Sequence, residues 1–439
     1  MEVLSIILSA GKGSRLKSSK PKPLHLVAGK PLIGWITETL SKIKVNNNIL
    51  ILGYKYEEIL KYFKNPNFII QEPQLGTGHA IKIAKEKINS FDGIVLINFA
   101  DTPFIEGKTI KRLINNVSNK NISMGVLGFH SINPKGYGRI IKGKESFIDK
   151  IVEEKDADKN VKKISLCNSG VIAIKSSVLR ENIDNIKQKR NGEYYLTDLV
   201  EILSKQNKKV SLTIGNEEEF FGINTMADLA LAEKIIQRKL REYFLTKGVN
   251  LKSPDSVFFN YDTIIKEDVI IEPNVIFGPS VKVGKGTVIK SFSYIEGCKI
   301  GNNCSIGPFA RIRPDTIIDN NVKIGNFVEI KKSNVGKHSK VNHLSYIGDT
   351  SIGKKSNIGA GSITCNYDGF SKHKTSIGDN VFVGSNSSLV APITIKNGAF
   401  VGAGSAITKD VEKNSLAVER SLQKNLKNKG FFSKTKKLY

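Results

Sequence analysis

Beyond Pro254, an aliphatic residue followed by glycine returns at intervals built on six, and little else could fold around such a pattern. The pairs are Val283-Gly284, Ile300-Gly301, Ile306-Gly307, Ile324-Gly325, Val335-Gly336, Ile347-Gly348, Ile352-Gly353, Ile358-Gly359, Ile377-Gly378, Val383-Gly384 and Val401-Gly402. Their glycines are spaced 17, 6, 18, 11, 12, 5, 6, 19, 6 and 18 residues apart, so most steps are multiples of six or miss by one. That is the signature of a hexapeptide solenoid. One aliphatic residue in six points inward, a following Gly or Asn tolerates a tight corner, and three hexads close one triangular coil of a parallel β-helix. The longest interruption, Cys365 to Thr375, contains Asp368-Gly369 and reads as a loop. Periodicity alone leaves open whether the solenoid is catalytic or only a scaffold that mediates oligomerisation.

The preceding part of the chain has a different texture. Strand-like runs at Leu4 to Leu8, Ile49 to Leu52, Phe68 to Gln71 and Ile94 to Asn98 alternate with helical segments at Pro31 to Ile43 and Gly78 to Ile88. Such alternation predicts a Rossmann-like α/β domain with a mainly parallel sheet, whose ligands bind at the carboxyl ends of the strands. From Met226 to Phe244, Leu229, Ala232, Ile236 and Leu240 fall at helical spacing without Gly or Pro. The expected organisation is an α/β domain over 1–225, a linker helix over 226–246, a β-helix over 247–420 and a solvated basic tail over 421–439. That tail carries Lys424, Lys427, Lys429, Lys434, Lys436 and Lys437. At 439 residues, two cores are expected rather than one.

The formal charge of +26 invites a nucleic-acid reading, but 57 of the 67 basic residues are lysines scattered among Asn and Ile, as biased coding would leave them. No nucleic-acid partner is expected, and the excess serves at most to attract anionic substrates. Five of the ten arginines, Arg15, Arg139, Arg311, Arg313 and Arg420, lie inside the motifs below, where a planar charged fork can grip phosphate. The four cysteines, Cys167, Cys298, Cys304 and Cys365, form no Cys-x-x-Cys pair, so zinc and dithiol chemistry are not indicated. Cys298 and Cys304, six apart, are expected on adjacent faces of one coil. Met1 to Ala10 is an apolar strand leading into a glycine loop rather than a cleavage site, and no stretch suits a bilayer span. A cytoplasmic protein without membrane insertion is the expectation.

The loop Leu8-Ser9-Ala10-Gly11-Lys12-Gly13-Ser14-Arg15-Leu16 follows the first strand, and its glycines allow backbone N–H groups to turn around a phosphate. It is neither a dinucleotide fingerprint nor a Walker loop. Lys22, Gln71-Glu72-Pro73-Gln74-Leu75-Gly76-Thr77-Gly78-His79-Ala80, Ala100-Asp101, Gly136-Tyr137-Gly138-Arg139, Val152-Glu153-Glu154-Lys155, Asn168-Ser169-Gly170 and Gly222-Ile223-Asn224 then occur in order. Together these motifs resemble the bacterial bifunctional N-acetylglucosamine-1-phosphate uridylyltransferase/glucosamine-1-phosphate N-acetyltransferase family over nearly the whole chain.

The resemblance implies that Leu8, Ser9, Ala10, Gly11, Lys22, Gln71, Gly76, Thr77, Phe99, Ala100, Asp101, Gly138, Glu153, Asn168 and Asn224 bind UDP-N-acetylglucosamine. It implies that Asp101 and Asn224 ligate Mg2+, and that Arg15 and Lys22 neutralise charge as pyrophosphate leaves UTP. Where the family has Tyr-Gly-Asp, this chain has Phe99-Ala100-Asp101, and the added methyl is expected to crowd the bound ligand. In the solenoid, a lone His343 would by itself be a solvated side chain. The resemblance makes it the general base of acetyl transfer, and Glu329 is expected to orient or polarise it. Arg313, Lys331, Tyr346 and Asn357 are implied to bind glucosamine-1-phosphate, and Ala360, Asn366, Tyr367, Ser385, Ala403 and Arg420 to bind acetyl-CoA. A left-handed winding and a homotrimer are implied as well. The competing readings are a nucleotidyltransferase with a regulatory β-helix and an oligomeric binding scaffold.

Overall fold

The computed structural model describes residues 1–143, 145 and 147–427; Lys429, Lys434, Lys436 and Lys437 of the basic tail lie outside the described residues. The chain forms two compact units that divide between Ile236 and Gln237, inside a helix spanning Met226–Thr246.

Among the described residues, the first unit is built on a nine-stranded sheet: β1 (Val3–Ser9), β2 (Asn47–Leu52), β3 (Phe68–Ile70), β4 (Ile94–Phe99), β5 (Met124–His130), β6 (Arg139–Lys142), β7 (Ile148–Val152), β8 (Leu166–Lys175) and β9 (Val210–Ile214). Its order is β9-β5-β8-β4-β1-β2-β3, with β6 and β7 forming a hairpin beside β8. The neighbours β4, β1, β2 and β3 run parallel, whereas β8 is antiparallel to both β4 and β5. Strand β1 is buried on both faces: Leu4, Ile6 and Leu8 enter one apolar cluster, and Ile7 enters the other. A continuous apolar run is what a strand covered on both sides requires. Register places Leu8 opposite Phe99 and Ser9 opposite Leu52, so the loops after β1, β2 and β4 open on one edge.

The helix Leu32–Lys42 buries Leu32, Ile33, Ile36 and Leu40 along one stripe. The helix expected over Gly78 to Ile88 is two, Thr77–Ile83 and Lys85–Asn89, parted at Ala84, where a tight bond from Ala84 N–H to Ile81 O ends the first. Helix Met226–Thr246 opens on a reciprocal cap. The Asp228 carboxylate accepts from the N–H groups of Asn224 and Thr225 at 2.9 and 2.8 Å, and Thr225 Oγ1 accepts from Asp228 N–H at 3.1 Å. That cap fixes the backbone of Asn224.

In the second unit, three parallel sheets of ten, eight and eight strands stack coil upon coil among the described residues. The inward positions form aliphatic columns, as in Ile295-Ile312-Ile330-Ile347, each about 1% exposed or less. Buried hydroxyls at the corners return their hydrogen bonds to neighbouring carbonyls, Ser339 Oγ to Gly353 O at 2.6 Å and Ser356 Oγ to Gly378 O at 2.7 Å.

The repeating glycine has a different cause from the expected one. The left-handed corner residue lies two positions later, as in Asn303, His338, Lys355 and Asn380, with φ between 54 and 64°. The glycine itself is required because coils stack closely: a Cβ on Gly336 would sit 2.6 Å from the backbone of Gly353, and one on Gly359 would sit 2.5 Å from Ser385 N. Cys298 opens the strand Cys298–Ile300 and Cys304 directly precedes the strand Ser305–Ile306 of another sheet; both are buried, and burial pushes the Cys298 thiol up to about 12. No helix among the described residues is long and apolar enough to cross a membrane.

Because each inward side chain touches the coils above and below, Ile330→Ala is expected to lower stability by about 2–5 kcal/mol, read as a lower midpoint in denaturant unfolding of the second unit.

Candidate functional site

At the carboxyl ends of β1 and β4 lies a cleft of about 400 Å3, lined by Leu8, Ser9, Ala10, Gly11, Arg15, Lys22, Gln71, Gly76, Thr77, Phe99, Ala100 and Asp101. A second cleft of about 270 Å3 is lined by Gly138, Glu153 and Asn168, and the two share Thr77, Phe99, Asp101 and Asn224 as a common wall. Every residue expected to bind the nucleotide sugar therefore borders one of two adjoining lobes.

Local geometry explains the residue types. A Cβ on Gly11 would meet nothing within 4 Å, so its backbone faces open space that a ligand can approach. Gly76 has φ +93° and lies against Tyr194 O, while the buried Gln71 donates from Nε2 to Gly76 O at 2.9 Å and holds that loop. In the second lobe, β8 bulges between Asn168 and Ile172. Gly170, at φ +85°, packs under the Phe99 ring and donates its N–H to Asn168 Oδ1 at 3.0 Å. The bulge re-aims Asn168 into the lobe. Glu153 accepts from Thr197 Oγ1 at 2.8 Å, and burial raises its carboxyl above the ordinary glutamate range.

The charged centre of the first lobe is compact. Lys22 Nζ lies 2.5 Å from Asp101 Oδ2 and 3.0 Å from Asn224 Oδ1, and Arg15 Nη2 reaches the same Oδ1 at 2.9 Å. Both oxygens thus reach a single cationic centre, and a carboxylate plus an amide oxygen is a donor set that a hard divalent cation accepts, with water and phosphate completing its shell. Ala100 is 3% exposed and belongs to the apolar cluster of Ile7, Leu96 and Leu127 beneath the loop, and it also borders the cleft. Arg139, expected at phosphate, is instead buried at 1% exposure and paired with Glu154 at 2.9 Å.

In the second unit the expected residues gather around one edge of the solenoid. Successive coils place Asn326-Phe327, His343-Leu344, Ala360-Gly361, Ser385-Asn386 and Ala403-Gly404 at equivalent turns, each second residue having positive φ. Arg420 folds back to donate from Nη1 to Ala403 O at 3.0 Å. His343 is paired in register with Asn326, and its Nδ1 meets Asn326 Oδ1 at 2.7 Å. The tautomer that donates from Nδ1 to this oxygen leaves the Nε2 lone pair free.

Glu329 is not the partner of His343. It stands in the neighbouring sheet, in register with Arg311 and Tyr346, and binds Arg313 Nη1 at 2.6 Å. Arg311 is taken up by Glu296 at 2.9 Å and by the Tyr294 ring at 4.2 Å. Lys331 is held below the usual lysine range, first by its contact with Lys372 and then by their mutual repulsion, with Arg313 adding to it. Lys331 thus stands close to two further cations, an arrangement suited to a multiply charged anion.

Two contributors escaped sequence reasoning. Asn326 was discoverable, since it precedes His343 by one coil of 17 residues. Lys372 sits in the Cys365–Thr375 interruption, where the period is lost. That loop is held by Asp368, which accepts from Phe370 and Ser371 N–H at 2.8 and 2.6 Å and meets His373 Nε2 at 2.6 Å. These bonds, the Ser371 N–H first, keep its carboxyl well below the usual range. At the start of the loop, Asn366 Nδ2 donates to Asp349 at 2.5 Å, whereas Tyr367 is 60% exposed.

Comparison with known proteins agrees with both units. Residues 5–141 match the MobA-like NTP transferase domain, residues 262–297 and 297–332 match the bacterial transferase hexapeptide, and residues 374–409 match the hexapeptide repeat of succinyl-transferase. The bifunctional protein GlmU of Zymomonas mobilis is 44% identical over 96% of this chain and 95% of its own length. Those of Paramagnetospirillum magneticum and Caldanaerobacter subterraneus are 42% and 41% identical, over 96% and 97% of this chain and 94% and 96% of theirs. The fold is accordingly an α/β nucleotidyltransferase domain followed by a left-handed parallel β-helix of hexapeptide repeats, and the nucleotidyltransferase half goes with use of a divalent metal and small-molecule substrates. The chain belongs to the family of bifunctional GlmU proteins, enzymes that join a nucleotidyltransferase to a hexapeptide-repeat acyltransferase.

Proposed function

We propose that the chain makes UDP-N-acetylglucosamine in two steps at separate sites. The second unit transfers acetyl from acetyl-CoA to glucosamine-1-phosphate. The first unit then joins the product, N-acetylglucosamine-1-phosphate, to the uridylyl group of UTP and releases pyrophosphate. The observation that carries the reading is the pair of adjoining lobes, one glycine-walled and cationic, the other lined by Glu153 and Asn168, meeting at Asp101 and Asn224.

In uridylyl transfer the nucleophile is a phosphate oxygen that is already anionic, so positioning and charge neutralisation carry the catalysis. Leu8, Ser9, Ala10, Gly11, Gln71, Gly76 and Thr77 hold the uridine nucleotide, with Phe99 and Ala100 forming the floor. Gly138, Glu153 and Asn168 hold the acetylated sugar. Arg15 and Lys22 stabilise the charge that collects on pyrophosphate. Magnesium, held by Asp101 and Asn224, would supply further neutralisation of the phosphates.

In acetyl transfer, His343 Nε2 accepts a proton from the sugar amine as its nitrogen attacks the thioester carbon. The C–N bond forms, the C–S bond breaks, and the proton passes to the leaving CoA thiolate. Asn326 positions the imidazole, and Glu329 acts by positioning Arg313. Arg313, Lys331, Tyr346 and Asn357 hold glucosamine-1-phosphate with the help of Lys372. Ala360, Asn366, Tyr367, Ser385, Ala403 and Arg420 hold acetyl-CoA along the upper coils. Reliance on UTP and acetyl-CoA supports a cytoplasmic enzyme.

The turn that bears His343 supports a homotrimer. Below His343, Phe292, Phe309 and Phe327 stack at 4.9 and 5.0 Å, and with Leu344 they form a ridge whose members are 44 to 62% exposed. An apolar ridge of this kind is suited to another copy of the chain.

Asp101→Asn is expected to depress uridylyl transfer by roughly 10²–10³-fold while acetyl transfer continues. His343→Ala should do the reverse, by roughly 10²–10⁴-fold, and Asn326→Ala should lower acetyl transfer by roughly tenfold to a hundredfold. Loss of both activities in either His343→Ala or Asp101→Asn would contradict the division of labour. Because the raised Glu153 carboxyl loses its charge as pH falls through a range above that of an exposed glutamate, KM for N-acetylglucosamine-1-phosphate should rise there. Steady-state kinetics across pH should find that rise absent in Glu153→Gln.

A further inference from the structure

Lys22 holds the two oxygens that a divalent cation would need. Its ammonium touches Asp101 Oδ2 at 2.5 Å and Asn224 Oδ1 at 3.0 Å, and Arg15 brings a second positive charge to the same amide oxygen at 2.9 Å. A metal ion and this ammonium cannot share the position. The Lys22 and Asp101 side chains are only 13% and 28% exposed, so solvent screens the pair incompletely.

The lysine is also restricted in how it can leave. Pro21 and Pro23 flank it, it opens the short helical turn Lys22–Leu24, and its stem packs on the glycine loop, where a Cβ on Gly13 would sit 2.9 Å from Lys22 Cβ. Its backbone is therefore fixed, and only side-chain torsions can carry the ammonium elsewhere. Within their reach lies the part of the same cleft walled by Gly11, Gly13 and Ser14.

We propose that Lys22 is a resident counter-ion for the metal ligands: it occupies Asp101 and Asn224 until a nucleoside triphosphate draws its ammonium away, so that the metal enters with the nucleotide and not before it. The inference rests on the reading of Asp101 and Asn224 as the metal ligands. It makes Lys22 a device that sets the order of binding as well as a partner of the phosphates. The free enzyme is thereby kept from collecting divalent ions at a half-formed site, and the energy of separating Lys22 from Asp101 is met by its new contact with the triphosphate.

The test is a titration of the full chain with manganese(II) alone, without nucleotide, followed by electron paramagnetic resonance of the free ion. Lys22→Met should bind manganese at least tenfold more tightly than the unaltered chain, and introducing Asp101→Asn should abolish the gain. Lys22→Gln, neutral but polar, provides the same comparison if methionine disturbs the loop. Equal affinity in the unaltered chain and a folded neutral variant overturns the proposal, and the metal assignment survives that result if Asp101→Asn weakens binding in each. A gain that persists in the presence of Asp101→Asn overturns both.

Discussion

Each coil of the C-terminal unit passes its backbone N–H groups to the carbonyls of the next, as in Arg311 N to Val328 O and Glu329 N to Ser345 O at 2.9 and 3.0 Å. A slip of one residue in that ladder would turn the inward isoleucines outward and the site residues inward. The register is held by the aliphatic columns on one side and by close backbone stacking at glycines such as Gly336 and Gly359 on the other. Residues far apart in the chain therefore meet by counting coils: Asn326 with His343, Glu329 with Arg313 and Tyr346, Ala360 with Ser385 and Ala403 at equivalent turns. The parallel half of the N-terminal sheet works in the same way. Pairing of β1 with β2 and β4 brings the glycine loop and Asp101 to one edge, and the capped helix start brings Asn224 to meet them.

The substrates proposed for both sites carry phosphate, and both sites present cations, some of them already committed to the protein. In the first, Lys22 and Arg15 converge on Asp101 and Asn224; in the second, Lys331 and Lys372 crowd each other while Arg313 is held by Glu329. A guanidinium already tethered to a carboxylate, as Arg313 is to Glu329, is positioned in advance, so less side-chain freedom is lost when the anion arrives. Arginine enters where a fork is needed and lysine where a point charge must move, in keeping with their different geometries.

Much of this was legible in the sequence because it is periodic or ordered. The aliphatic-glycine recurrence dictates stacked coils, and the succession of motifs from the glycine loop to Asn224 fits lobes that share a wall. What sequence reasoning missed depends on direction rather than position. Ala100 was expected at the ligand, and it stands both in the buried apolar cluster and on the cleft wall. Arg139 was expected at phosphate, yet a buried guanidinium beside Glu154 has its partner already. The helical turn expected to continue through Ala84 is broken there. Glu329 was expected to orient His343, whereas it lies in a different sheet of the solenoid, with left-handed corners at Lys332 and His338 between the two residues. Lys372 falls in the insertion, where counting coils no longer works.

A chain that carries two independent chemistries should show both in one paired assay of the purified protein. CoA release would be followed with acetyl-CoA and glucosamine-1-phosphate, and pyrophosphate release with UTP, N-acetylglucosamine-1-phosphate and magnesium. Release of both products is expected, with each assay indifferent to omission of the other's substrates. Folded protein that yields pyrophosphate but no CoA would contradict the claim and reduce the β-helix to a scaffold, and CoA without pyrophosphate would contradict it from the other side.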